Sequence, residues 1–202
     1  MDEREHAVRG LSEDLQIAFA SATLAFELRQ MVHRHGPLVR LAEDFTWFAL
    51  RAARDTAVIH LWKVYDTQKQ ARSLRWFLSR FSKAGPSDRD RDMQRISPSS
   101  ADVNRLMRLR HQVFAHRGHE AAVKGSAAIL ESNDLTAPEV FELIQVARDI
   151  LRQHYGAALP ETVSSRSENA INQLRRLDIH LRDVIPTGYG YSLTTFEPET
   201  DE

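Results

Sequence analysis

Long stretches of this chain carry apolar residues three and four positions apart with little to interrupt them, and no other feature constrains the fold as strongly. Only eight glycines and seven prolines occur in 202 residues, so a helix can run far before a breaker stops it. Alternation at every second position, the mark of a half-buried strand, is scarce. The expected class is therefore all-α. One domain is expected over residues 1–185, because the length supplies one sizeable core and is short for two. An irregular acidic tail is expected over 186–202.

The periodicity predicts a first helix from near Ser12, whose hydroxyl can cap it. It turns Leu15, Phe19, Ala22 and Phe26 toward a core and stops at His35-Gly36-Pro37. In the run His33-Arg34-His35, side chains at a helix end meet exposed carbonyls, a capping role. A second helix runs from Leu38 or Ala42 to Tyr65, with Phe45, Phe48, Ala52, Ile59, Trp62 and Val64 as its apolar surface. Asp66-Thr67 makes a turn. A third helix near Arg72 to Lys83 shows Leu74, Phe77, Leu78 and Phe81 on one stripe. The stretch from Ala84 to Asp92 reads as a polar connector.

A fourth helix follows Ser97-Pro98-Ser99-Ser100 and reaches about Arg117, where Gly118 can end it. Residues 118–133 read as loop with a short helical turn. A fifth helix, capped by Thr136, carries Val140, Phe141, Ile144, Ala147, Ile150 and Leu151, and a sixth runs from about Ser167 to Val184.

Composition excludes several classes of function. There is no cysteine, hence no disulfide, thiolate metal site, iron–sulfur cluster or cysteine nucleophile. Met1-Asp2-Glu3-Arg4-Glu5-His6 is charged and carries no signal-type apolar run, and no apolar segment approaches the ~20 residues that cross a bilayer. A cytoplasmic location with no membrane partner is expected. No phosphate-cradling glycine loop, dinucleotide fingerprint or nucleophile elbow is present, so ATP- and NAD-dependent chemistry is disfavoured and no cofactor is expected. A formal charge of −1 gives no global basic field, so any RNA contact has to be local. The arginines cluster between Arg72 and Arg95, which reads as a solvated helix face, and between Arg105 and Arg117. Arginine's planar fork suits phosphate better than lysine does.

The second cluster contains Arg110, His111 and, after four residues, His116, followed by Arg117. At 3.6 residues per turn, Leu106, Leu109 and Val113 share one stripe, His116 falls near its edge, and Arg110, Phe114 and Arg117 flank the other side. A guanidinium and an imidazole beside an apolar seam describe a seam meeting another helix with a polar pocket alongside. An imidazole near its reference pKa of ~6.5 exchanges protons at neutral pH, and a fixed guanidinium steadies a phosphate that gains charge. Those groups suffice for metal-free RNA cleavage by the ribose 2′-hydroxyl. A hydrogen-bonded structural histidine fits the same spacing. A metal site from His116, His119 and Glu120 with His60 is a weaker reading: His116 and His119 adjoin only if a helix continues through Gly118, and no paired Glu-x-x-His repeat occurs.

Arg110-His111 followed by His116 resembles the HEPN superfamily signature, an arginine, four to six residues and a histidine, including the polar residue that follows the arginine. Phe114-Ala115-His116-Arg117 resembles the motif ending of abortive-infection HEPN proteins of the AbiU type. Leu61-Trp62-Lys63-Val64-Tyr65-Asp66 and then Ser73-Leu74 resemble the preceding helix end and the helix after it. The similarity spans about Leu15 to Leu151.

The resemblance implies an antiparallel bundle of four to five core helices, here with an extra C-terminal helix, that forms a homodimer through the motif helix. It also implies a metal-independent endoribonuclease in phage defence, toxin–antitoxin systems or RNA processing. His116 would act as acid or base, Arg110 would stabilise phosphate, His111 would orient or assist, and Arg117 would bind phosphate. Many members instead keep the fold as inactive modules that bind RNA or a protein partner, and that alternative stays open. Toxins silenced by a nucleotidyltransferase antitoxin carry a tyrosine two residues after the histidine. Gly118 stands there in this chain, so an antitoxin partner would have to act by another route.

Overall fold

The computed structural model describes residues 2–35, 43–68, 71–110, 135–156, 171–173 and 175–176. These form α1 (Glu3–Arg34), α2 (Glu43–Tyr65), α3 (Leu74–Phe81), α4 (Pro86–Arg95), α5 (Ala101–Arg110) and α6 (Ala137–Tyr155). Residues 171–173 and 175–176 are helical as well, and no strand occurs among the described residues. The all-α expectation holds.

Helix α1 starts well before Ser12. Asp2 and Glu5 form a reciprocal capping box, Glu5 N–H donating to Asp2 Oδ1 at 2.7 Å and Asp2 N–H to Glu5 Oε2 at 3.3 Å. Ser12 lies inside the helix, buried, its hydroxyl without a hydrogen-bond partner. The far end matches expectation: His33 and Arg34 occupy the last turn, and His35 closes it by donating its N–H to Met31 O at 2.9 Å.

Among the described helices the largest contact joins α1 to α2. Across it His60 Nδ1 lies 2.6 Å from Asp14 Oδ1, with Lys63 Nζ 3.4 Å from the same oxygen. The buried stripe of α2 is Ala53, Ala57, Val58, Leu61 and Val64, facing Ala18 and Ala22 of α1 among others. Small residues on both helices let the backbones approach closely. The aromatic stripe expected for α2 therefore points elsewhere: Phe45 and Phe48 are each 72% exposed, and Ala52 is exposed. Phe19 and Phe26 of α1, expected in the core, are instead partly exposed, at 41% and 40%.

Helix α6 lies antiparallel on α1, since Arg4 meets Tyr155 while Phe19 meets Phe141 edge-on at 5.7 Å. Its start is fixed by Glu139, whose carboxylate accepts from the N–H of Thr136 at 2.7 Å and from its hydroxyl at 2.9 Å. It ends at Gly156, φ +69°, a left-handed conformation that other residues adopt only with strain. Val140, Leu143, Ile144, Ala147, Ile150 and Leu151 are buried along it. The core closes where these residues meet Val8, Leu11 and Leu15 of α1, Leu61 and Tyr65 of α2, Leu74, Phe77 and Leu78 of α3, and Val103, Leu106 and Leu109 of α5. Fully burying one such leucine or phenylalanine stabilises by about 1.5–3 kcal/mol.

The expected connector at 84–92 is instead the helix α4. Gly85 precedes it, Pro86 opens its first turn, where a missing N–H costs nothing, and its outer surface is charged. Its inward anchor is Asp92, with no exposed surface. Oδ2 of Asp92 lies 2.9 Å from His154 Nε2, and His154 Nδ1 lies 2.6 Å from Ser82 Oγ. Arg95 and Arg91 donate to Asp92 Oδ1 at 3.1 and 3.4 Å. One buried cluster thus joins the end of α3, the second half of α4 and the end of α6.

Candidate functional site

Helix α5 brings the first motif residue into view. A serine turn leads into it, with Asn104 N–H donating to Ser100 O at 2.9 Å, and Val103, Leu106 and Leu109 bury its inner face. Its rotation is fixed near the middle by Arg105, which donates to Asp102 Oδ1 at 2.6 Å and to Glu139 Oε1 of α6. Hydrogen bonds to Asp102 and then Glu139 raise the Arg105 pKa. The Thr136 backbone N–H, helped by Arg105, holds the Glu139 carboxyl below the ordinary carboxylate range. The residue that sets α5 in place therefore also completes the first turn of α6.

One position beyond Leu109, and so about 100° round the helix, Arg110 leaves the buried stripe at its edge. Its guanidinium lies over the indole of Trp62 on α2, 4.3 Å from the ring centroid. Such a contact contributes about 0.5–2 kcal/mol, more as it is desolvated, and both side chains are half-buried. Three residues further along α2, Tyr65 donates its hydroxyl to Leu143 O at 2.7 Å, and burial pushes the phenol pKa well above its ordinary range, so it stays neutral. The end of α2 is thereby tied to α6 next to the arginine it supports.

His111, His116 and Arg117 lie outside the described residues, as do Val113, His119, Glu120 and the loop expected at 118–133. Of the predicted site the structure places Arg110 alone. Among the metal-site candidates His60 is described, and it is engaged with Asp14; among the described residues no group of three or more His, Asp or Glu side chains is arranged to hold a metal ion. No described helix is long and apolar enough to cross a membrane.

Two features escaped the sequence reading. The spacing along α2 marks Trp62 only as apolar surface, whereas its ring carries the motif arginine. Ser82, His154 and Asp92 stand in a serine–histidine–carboxylate order, the constellation of nucleophilic catalysis, yet the imidazole and carboxylate are wholly buried and serve to join three helices. Nothing in the spacing of these three residues marks them as neighbours, and Asp92 is hidden in a run of charged residues.

Compared with known protein families, the chain matches the family model HEPN AbiU2 over residues 8–172. The chain belongs to the HEPN AbiU2 family. The match takes in all six numbered helices except the first few residues of α1, and it includes Arg110, His111, His116 and Arg117. No curated protein and no solved structure gives a match. For an AbiU-type HEPN chain the helical bundle is the fold expected, and the platform of Trp62 beneath Arg110 is a feature of this structure.

Proposed function

We propose that this chain is a metal-independent endoribonuclease of HEPN type, acting in phage defence, toxin–antitoxin systems or RNA processing. The observation that carries the reading is Arg110: an arginine at the start of the HEPN motif, on a helix whose rotation is locked by Arg105, with its guanidinium held over Trp62. A guanidinium fixed in this way costs little reorganisation when a phosphate gains charge. In the reaction the 2′-hydroxyl oxygen attacks the adjacent phosphorus, its proton passes to a base, and the 5′-oxygen leaves with a proton returned to it. The products are a 2′,3′-cyclic phosphate and a 5′-hydroxyl. His116 is the proton carrier in this reading, with His111 assisting and Arg117 binding phosphate.

The test is cleavage of a fluorescent RNA with EDTA present. His116→Ala is expected to slow cleavage by about 100- to 10,000-fold, and Arg110→Ala by roughly 100- to 1,000-fold. Cleavage that persists with both replaced, or that EDTA abolishes, overturns the reading.

A homodimer through the motif helix is part of this proposal, with one change. Leu106 and Leu109 are spent in the chain's own core, so a second copy would meet α5 on its outer face, the side carrying the exposed Arg108. Light scattering is expected to give the mass of a dimer at micromolar concentration, and a monomer mass would count against it.

The second reading, an inactive HEPN module, is favoured by the same contact in another role, since a half-buried arginine over an indole also stabilises a fold. Arg110→Lys separates the two: lysine keeps the charge and much of the cation–π contact but loses the fork that matches phosphate. Stability retained with cleavage lost supports catalysis.

A further inference from the structure

A cavity of about 170 Å³ opens where the segment after α2, the start of α3 and one side of α4 meet. Thr67, Gln68, Arg75, Trp76, Ser79 and Met93 line it, with Ser73 at its inner edge. We propose that it binds a single pyrimidine nucleotide, as one unstacked unit of an RNA strand or as a free nucleotide. The RNA source rests on the ribonuclease reading above; the pocket chemistry does not.

Size gives the first argument. A cavity of about 150 Å³ is enough for one benzene ring, so this one takes a single-ring base and is small for a purine. The walls give the second. Trp76, whose ring already meets Phe81 edge to face at 5.2 Å and Arg80 at 5.7 Å, gives part of its indole to the lining, an aromatic surface of the kind on which bases stack, and Met93 adds a soft thioether.

The polar groups give the third. Ser73 Oγ already accepts the Trp76 N–H, at 3.5 Å, and Ser79 Oγ donates to Trp76 O at 2.8 Å. Gln68 is exposed, and its bonds run through its backbone: its N–H donates to Asp66 Oδ1 at 2.9 Å and its carbonyl accepts from Ala71 N–H at 3.1 Å. Among the described residues its side-chain amide and the Thr67 hydroxyl have no partner. An amide carries a donor and an acceptor together, which suits the edge of a uracil or cytosine.

Charge gives the fourth. In the arginine cluster, Arg80 pairs with Glu3, Arg89 with Asp90, Arg91 with Asp88 and Asp92, and Arg95 with Asp92. Arg75, exposed at the rim, has no acidic partner among the described residues. It is the cation of the lining, placed for the phosphate of a nucleotide whose base occupies the cavity.

The test reads the Trp76 indole N–H by NMR in the full chain, with Trp76→Phe to assign it, using the His116→Ala variant so that RNA stays intact. Oligouridylate is expected to shift that resonance saturably, and uridine monophosphate to do so too. Oligoadenylate should bind several-fold more weakly. Tighter binding by the oligomer identifies a strand as the source, and equal binding identifies a free nucleotide; both support the site. Arg75→Ala should weaken binding roughly tenfold, as expected for a lost charge-assisted hydrogen bond, and Gln68→Ala should weaken uridine monophosphate binding by roughly fivefold, as expected for a lost neutral hydrogen bond. Both residues are exposed, so neither variant threatens folding. A Trp76 resonance unmoved by either uridine ligand, or unchanged binding in both variants, overturns the proposal. Wild-type cleavage without a Trp76 response sinks this site and leaves the ribonuclease reading intact, and the converse separates them the other way.

Discussion

At the scale of single residues, Asp92 has the clearest energetic signature. Burial pushes its carboxyl pKa up, but hydrogen bonds from His154, Arg91 and Arg95 outweigh that and hold it below the ordinary aspartate range. An ionised carboxylate only accepts, so the His154 nitrogen facing it, Nε2, carries the proton. Because the folded pKa is depressed, the stabilisation is present above the unfolded aspartate value of about 4 and is lost as pH falls through the folded one. The melting temperature is therefore expected to fall as pH drops below about 4, and Asp92→Asn should start lower at neutral pH and show a shallower fall. Equal acid limbs in the two proteins would contradict this. Asp92→Ala, which strips a buried ion cluster of its acceptor, is expected to cost about 3–5 kcal/mol in urea unfolding. Tyr65→Phe removes one buried hydroxyl from Leu143 O, and about 1 kcal/mol is expected.

Among the elements, the contact between α1 and α2 depends on residues that are small. Ala57 is 3% exposed at the centre of that contact, and Ala57→Leu is expected to destabilise by about 1–3 kcal/mol through overpacking, measured by thermal or urea unfolding. This helix pair also shows why the sequence was only partly legible. The ends of α1 and α2, and the starts of α5 and α6, were readable because His35, Tyr65, Ser97 to Ser100 and Thr136 are local signals. The buried face of α2 was not, because the hydrophobicity of Phe45 and Phe48 outweighs that of Ala53 and Ala57, while close helix approach rewards the smaller side chains. Helix α4 was missed for a related reason: its one inward anchor is an aspartate, and polarity reads as solvent unless the histidine that meets it is known. In the candidate site Arg110 was legible from its motif, whereas Trp62 was not, since a partner on another helix leaves no trace in spacing.

For the molecule as a whole, Arg4 and the end of α6 form the link that spans the most sequence among the described residues. Arg4 Nη2 donates to Tyr155 O at 2.6 Å and His154 O at 3.2 Å, and the guanidinium lies 4.8 Å from the Tyr155 ring centroid. Arg4→Ala leaves carbonyls at a helix end without their cation and is expected to cost about 2 kcal/mol. By contrast Phe45 and Phe48, mostly in solvent, hold nothing in the described core. Replacing both by serine is expected to change stability by no more than about 0.5 kcal/mol per site. A large loss of stability would show that both rings pack against the rest of the protein.

That link between α1 and α6 bears on how the protein is made. Helix α1 is complete at Arg34, but the helix that covers its other flank is not finished until Tyr155. At roughly 5–20 residues per second the interval is on the order of ten seconds. During it the newborn chain can close α1 on α2, while Val8, Leu11 and Leu15 still await their partners on α6. Arg110 leaves the ribosome before the strut from Glu139 exists to hold its helix, so the motif is translated ahead of the scaffold that orients it.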